Sequence, residues 1–342
     1  MNNFTRMNDA ANYTNVFADF GICPDQRPER AAFALEGQEK VHRLEAPYDP
    51  TPMVRIQSRL DEVDYAIIEE IARSKYLVSL QIFQFLGLRG FSLKRTGLRN
   101  RLNKMVKYRL IREFEIRREN AEAGIRFYEL DYRGFQIAQT RDVVFHVGNR
   151  FLSDRNKEIM GFFEEAVAVK RVLAANMVIL GLLRNGAALD GFGFNETVRA
   201  TAGGKILDDC ILRTQGMFWI GRDSVFLVEV ARAGEYGLEK LADKVGRYYS
   251  LVNHAEYLEE NAHGHVAYPQ LVICAESEDH AREIDTFLRN RGLWREEDTI
   301  LYTHDLLHMD KSLRTLYELD GDGNQTWYAL PSRYTTRNPA CA

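Results

Sequence analysis

The chain has 342 residues, long enough for two domains with a core each, and its hydrophobic (45%) and charged (27%) fractions are those of an ordinary globular protein. The N-terminus, MNNFTRMNDAANYTN, lacks the apolar core of a signal peptide, and the most apolar run, Val172 to Leu183, is interrupted by Asn176 and falls short of the roughly 20 residues a bilayer needs. No membrane contact and a cytoplasmic location are therefore expected, and the four scattered cysteines, Cys23, Cys210, Cys274 and Cys341, read as free thiols.

Five of the eight prolines (Pro24, Pro28, Pro47, Pro50, Pro52) lie among polar and small residues before position 53, so 1–57 reads as an irregular N-terminal arm. A helical period then begins. Val63, Ile67, Ile68 and Ile71 form one stripe, which predicts a helix over 61–73. Ser79 is a suitable N-cap for a short helix, Leu80 to Leu86, closed by Gly87. Ser92 is the expected cap of a third helix ending near Tyr108. Alternating stretches, Leu110 to Arg117 and Ile125 to Leu130, are joined as a hairpin by 119–124. Three helices followed by a hairpin is the order of a winged helix-turn-helix, here assigned to 58–140.

The net charge of −4 is silent about partners, but its distribution is not. Ser92 to Arg118 carries ten Lys and Arg (Lys94, Arg95, Arg99, Arg101, Lys104, Lys107, Arg109, Arg112, Arg117, Arg118) against Glu113 and Glu115, a local charge of +8. Such asymmetry is the electrostatic footprint of nucleic-acid binding. On a helical wheel of 92–108, Leu98, Leu102, Met105 and Val106 share the inner face. Thr96, Arg99, Asn100, Asn103, Lys104 and Lys107 point outward. Arg and Asn suit base edges in the major groove and Lys suits phosphate. Lys94 and Arg95 oppose the helix dipole unless an anion is near. Arg112, Arg117 and Arg118 lie on the wing. The expected partner is double-stranded DNA.

Past 141–153 the pattern changes to helices interleaved with short apolar strands, an α/β domain with a mixed sheet over 150–315. Helices are expected at 156–183, 237–252 and 279–291, with strands at 205–213, 217–221, 225–231, 270–275 and 300–302. Residues 316–342 form a C-terminal tail that the pattern leaves unplaced beyond Asp320. Asp209 and Glu229 would then sit on neighbouring strands, where two carboxylates can share Mg²⁺ or Mn²⁺. That is the core of PD-(D/E)XK nucleases, which resemble restriction endonucleases. Their lysine normally stands two residues beyond the acid, and here that place is Ala231. Lys244, at the edge of the face made by Leu238, Leu241, Val245 and Tyr248, is the substitute cation, and Glu164 or Glu165 offers a third carboxylate.

Four other signals carry no such chemistry. His304-Asp305-Leu306-Leu307-His308 has Asp where a zinc protease needs Glu, and His263-Gly264-His265 lies in a glycine turn. Asp320-Gly321-Asp322-Gly323-Asn324 lacks the later residues of a calcium loop and reads as a plain turn. Gly191-Phe192-Gly193 is too short to bind a nucleotide.

Together, the Phe127-Tyr128-Glu129-Leu130…Gly134 run, an Asp on a strand, Leu227-Val228-Glu229-Val230 and Lys244…Tyr248 resemble the replication-relaxation family of plasmids and integrative elements. The resemblance covers about 60–290 and departs from the family at Ala231. It implies a winged helix-turn-helix followed by a restriction-endonuclease-like α/β domain, with Asp209, Glu229 and Lys244 as catalytic residues and Asp209 and Glu229 as metal ligands. It further implies a DNA-binding protein of replication or mobilisation. The alternative is a transcriptional regulator whose inactive nuclease fold serves dimerisation or partner binding, a homodimer being one form.

Overall fold

The computed structural model describes residues 33–35, 37–118, 124–141, 143, 162–221, 224–233, 237–258, 269–295, 300–308, 315–328 and 330–331. The chain divides into two compact units, 1–29 with 36–173 and 30–35 with 174–342. Both mix helices and sheet.

In the first unit a five-residue helix, α1 (Met53–Gln57), precedes three longer ones, α2 (Glu62–Ser74), α3 (Ser79–Leu88) and α4 (Arg95–Lys107). Asp61 starts α2 with a capping box: its carboxylate accepts from Asp64 N–H at 3.0 Å, and Asp64 accepts from Asp61 N–H at 3.4 Å. Ser79 is the first helical residue of α3 rather than its cap. Gln81 Oε1 instead accepts from Val78 N–H at 3.2 Å, and Gly87 lies inside the helix. Ser92 does not cap α4 either; the N-cap is Lys94, without a side-chain hydrogen bond. Leu98, Leu102, Met105 and Val106 are buried, so the inner face of α4 is the one its period indicates.

The hairpin is β2 (Ile111–Arg118) and β3 (Ile125–Leu130), followed by α5 (Tyr132–Thr140); residues 119–123 of its loop lie outside the described residues. Phe127 stacks on Phe114 across the hairpin at 5.3 Å and meets Tyr76, in the connection between α2 and α3, edge-on at 5.4 Å. The arm expected to be irregular holds regular structure at 39–44 and 53–57, with an irregular stretch over 45–52. A strand, β1 (Glu39–Leu44), pairs antiparallel with β2, Glu39 opposite Arg118 and Leu44 opposite Glu113. It covers an edge that would otherwise present unpaired backbone groups. Its inward positions are Glu39 and Val41, and Glu39 is buried against Lys170 Nζ at 2.5 Å. One aliphatic and one paired acid make no apolar alternation, which is why the strand is illegible in sequence.

A long helix, α6 (Phe162–Arg184), leads into the second unit. The window Ala166–Arg184 has the length and apolarity to cross a membrane (mean hydropathy 1.8), but 78% of it is buried inside the protein. The strands are β4 (Gly191–Phe194), β5 (Thr197–Ala202), β6 (Lys205–Arg213), β7 (Gly216–Ile220), β8 (Ser224–Val230), β9 (Pro269–Ala275), β10 (Leu301–His304), β11 (Leu316–Leu319) and β12 (Gln325–Tyr328). The helices are α7 (Gly237–Asn253) and α8 (Glu278–Asn290). Seven strands form a sheet in the order β12-β11-β10-β9-β8-β7-β4. The β8–β9 and β9–β10 pairs are parallel and the rest antiparallel. The tail thus supplies two strands, and Asp320 closes their turn by accepting from the backbone N–H groups of Asp322 and Asn324. On one sheet face Leu227, Leu271, Ile273 and Tyr302 pack with Leu241, Val245 and Tyr248 of α7 and Ile284 and Leu288 of α8.

The expected neighbour of β7 is displaced. β6 pairs only with β5, in a separate two-stranded sheet, and β4 takes the place beside β7. β6 is exposed at Lys205, Ile206, Asp208 and Asp209, and its inward residues, Cys210 and Leu212, belong to the core cluster under α7.

Candidate nucleic-acid interface and acidic strand

The basic residues of 92–118 are sorted by their partners. Arg101 lies across α2: its guanidinium donates to both oxygens of Asp61 at 2.8 Å and to Asp64 Oδ1 at 2.7 Å. These bonds, Arg101 first, hold the Asp61 carboxyl below its ordinary range. Lys104, expected to face DNA, instead donates to Arg59 O at 3.2 Å and stands 3.7 Å from Asp64. On the hairpin, Arg112 pairs with Asp131 at 3.1 Å and Arg117 with Glu115 at 3.7 Å, while Arg118 is exposed at the end of β2.

What remains on α4 is one continuous face. Thr96, Arg99, Asn100, Asn103 and Lys107 are exposed and recur every three or four residues; Arg95, in the first turn, is half-buried. Among the described residues no side chain bonds or ion-pairs with Lys94, Arg99, Asn100, Asn103 or Lys107. The N-terminus of α4 has no capping side chain and no acid in its first turn. Its positive end, beside Lys94, thus has no acid of its own helix as counter-charge, and phosphate oxygens supply such a charge. The face combines amide and guanidinium groups able to read base edges with cations able to hold phosphate.

The acidic site is only partly assembled. Glu229, on β8, is 1% exposed, and Lys244 Nζ lies 2.6 Å from its Oε1. The same ammonium donates to Arg213 O at 3.2 Å, and Gln215 Oε1 accepts from Val230 N–H at 3.0 Å beside it. The lysine expected to have migrated from position 231 to the following helix thus reaches the acid. Ala231 continues the strand's pairing, donating its N–H to Cys274 O. Tyr248 is a core residue, its hydroxyl donating to Pro269 O at 3.1 Å.

Asp209 is not placed with them. It stands exposed on β6, outside the sheet that holds β8, within the register shift between the Arg199–Ile211 and Thr201–Ile206 pairs and with φ of 56°. Aspartate is among the few residues that tolerate that left-handed backbone. The side chains of Glu164 and Glu165, in the first turn of α6, lie outside those described, as does His263-Gly264-His265. Asp305 is engaged by Arg232 at 2.8 and 2.9 Å, and His308 by Thr303 at 2.7 Å. Among the described residues no group of three His, Cys, Asp or Glu is arranged to hold a metal ion. No family model matches this chain, and no curated protein or solved structure is significantly similar to it.

Proposed function

We propose that this chain binds double-stranded DNA, with α2 to α4 and the β2–β3 hairpin acting as a winged helix and α4 entering the major groove. The observation that carries the reading is the division of labour on α4. Arg101 is bonded to the start of α2 and Lys104 to Arg59 O beside Asp64, while Arg99, Asn100, Asn103 and Lys107 are exposed and, among the described residues, have no side-chain hydrogen bond or ion pair. The role in replication or mobilisation of a mobile element, in the cytoplasm, belongs to the same proposal and rests on the motif resemblance. A homodimer would present two such helices to half-sites about one helical turn apart.

The test is a titration of duplex DNA at several salt concentrations. Arg99→Ala and Asn103→Ala are expected to cost about 1–3 kcal/mol on a preferred sequence and less on a scrambled one. Lys107→Ala should weaken both equally. Three variants with wild-type affinity on every duplex would remove α4 as the reading element.

For the second unit the geometry favours a binding or architectural role over strand cleavage. Mg²⁺ or Mn²⁺ does not fit the residues as they stand: one buried carboxylate already carries an ammonium at 2.6 Å, and Asp209 is on another sheet. The nicking reading retains one specific support, the meeting of Glu229 with Lys244. It predicts nicking of supercoiled plasmid that Lys244→Ala abolishes, and a melting temperature raised by millimolar Mn²⁺. The non-cleaving reading predicts neither.

A further inference from the structure

The turn that ends α4 has an unusual occupant. Arg109 N–H donates to Val106 O and Leu110 N–H to Met105 O, each at 3.0 Å, the two bonds of a Schellman motif. The residue after the C-cap in that motif takes left-handed backbone, and glycine usually fills it because a Cβ clashes there. Here it is Arg109, with φ of 59°. A long cationic side chain is kept where the backbone would favour none, and strain of that kind is commonest at functional positions.

The guanidinium of Arg109 lies 5.7 Å from the centre of the Tyr48 ring, and Tyr48 is 49% exposed. The segment bearing Tyr48 is fastened to the end of α4. Asp49 N–H donates to Lys107 O at 3.0 Å. Arg133 donates to Thr51 O at 3.1 Å, to Tyr108 O at 3.3 Å and to the Tyr48 hydroxyl at 2.7 Å. Arg59 donates to the Tyr108 hydroxyl at 3.3 Å. Arg109 and Arg133 thus face the Tyr48 ring, and Arg59 and Arg133 lie near one carboxylate. That carboxylate, Asp49, already accepts from the N–H and hydroxyl of Thr51 at 2.9 and 2.6 Å. Positive charge exceeds negative here, and the patch adjoins Lys107 at the end of the exposed face of α4.

We propose that Arg109, presented on Tyr48 and flanked by Arg59 and Arg133, holds a phosphodiester group of the DNA backbone beyond the stretch that α4 reads. The inference rests on the DNA-binding reading above. Guanidinium groups pair two N–H donors with two phosphate oxygens, and the fastened segment fixes this one in place before DNA arrives.

The test uses the full chain with Arg109→Gly and Arg109→Asn, both of which accept left-handed backbone. Binding is measured from roughly 50 to 200 mM salt, where each neutralised phosphate contributes a slope of about −0.9 to log K against log salt. On duplexes extending past the α4 contact, both variants are expected to bind several-fold more weakly and lose about one unit of slope. They should equal wild type on a duplex too short to extend, and melt no lower than wild type. Unchanged slope on every duplex, while Arg99→Ala still weakens binding, would overturn the phosphate site and leave the DNA reading standing. A lower melting temperature with unchanged slope would also overturn it, assigning Arg109 to fastening the segment. Indifference to both Arg99→Ala and Arg109→Gly would sink both readings. Inorganic phosphate at constant ionic strength should leave wild-type affinity unaltered; competition confined to wild type would make this a site for free phosphate and overturn the backbone assignment.

Discussion

Arg99 and Arg101 stand two positions apart on the same helix and have opposite fates. In sequence they are equivalent members of a basic run. In the structure Arg101 answers Asp61 and Asp64, some forty residues earlier in the chain, and Arg99 makes no ion pair among the described residues. The side chain of Asp64 is 2% exposed, so Arg101→Ala leaves a buried carboxylate short of its nearest cation. A loss of about 1–3 kcal/mol in denaturant unfolding is expected. Arg99→Ala should stay within about 0.5 kcal/mol of wild type while losing DNA affinity. Equal stability effects would show that the two are not divided as described. The partner of a charge is a tertiary fact, and so the ten cations could be counted in sequence but not sorted.

His308 gives a second prediction at this scale. Thr303 Oγ1 donates to Thr315 O at 2.6 Å, so its contact with His308 Nε2 at 2.7 Å requires the ring to donate there. A second proton would sit on Nδ1, buried and near His304 and Arg184. Burial first, then those neighbours, push the imidazole from 6.5 down to about 3. Between those values the unfolded chain binds the proton and the folded chain does not. Stability is therefore complete above pH 6.5 and falls on acidification toward pH 3. His280, also depressed by burial, adds in the same direction. Unfolding free energy should drop from pH 7 to pH 5, less steeply in His308→Gln. A His308→Gln profile as steep as wild type would remove His308 as the cause.

At the scale of elements, the apolar pattern located β6 to β10, five of the nine strands described in the second unit, and missed β4, β5, β11 and β12. It could not say which strand lies beside which. The stretches 205–213, 217–221 and 225–231 read as a meander, and on that order rested the pairing of Asp209 with Glu229. The strand that takes the place beside β7, β4, is GFGF, two glycines and two aromatics, which carries no period of its own. Trp219 explains one of those glycines: a Cβ on Gly191 would lie 2.1 Å from its ring. β1 was missed for a comparable reason, an inward glutamate. Its contribution is measurable. A fragment spanning 36–173 should melt higher than one spanning 58–173, because the second leaves the edge of β2 bare and Lys170 without Glu39. Identical melting curves would make β1 an ornament of the sheet rather than part of the first unit's fold.

For the whole molecule, the sequence pattern changes near 150, whereas the chain divides into compact units within α6, after 173. Period and composition report local burial. They do not report where one core ends inside a continuous helix. The concentration of positive charge in the first unit, within a chain of net charge −4, survives as a property of one exposed face. The most direct test of its purpose is to modify lysines chemically in the full chain with and without duplex DNA. Lys94 and Lys107, exposed on and beside α4, are predicted to become protected, while Lys205 and Lys240, exposed in the second unit, keep their reactivity. Protection of Lys205 and Lys240 with Lys94 and Lys107 unaltered would contradict the account.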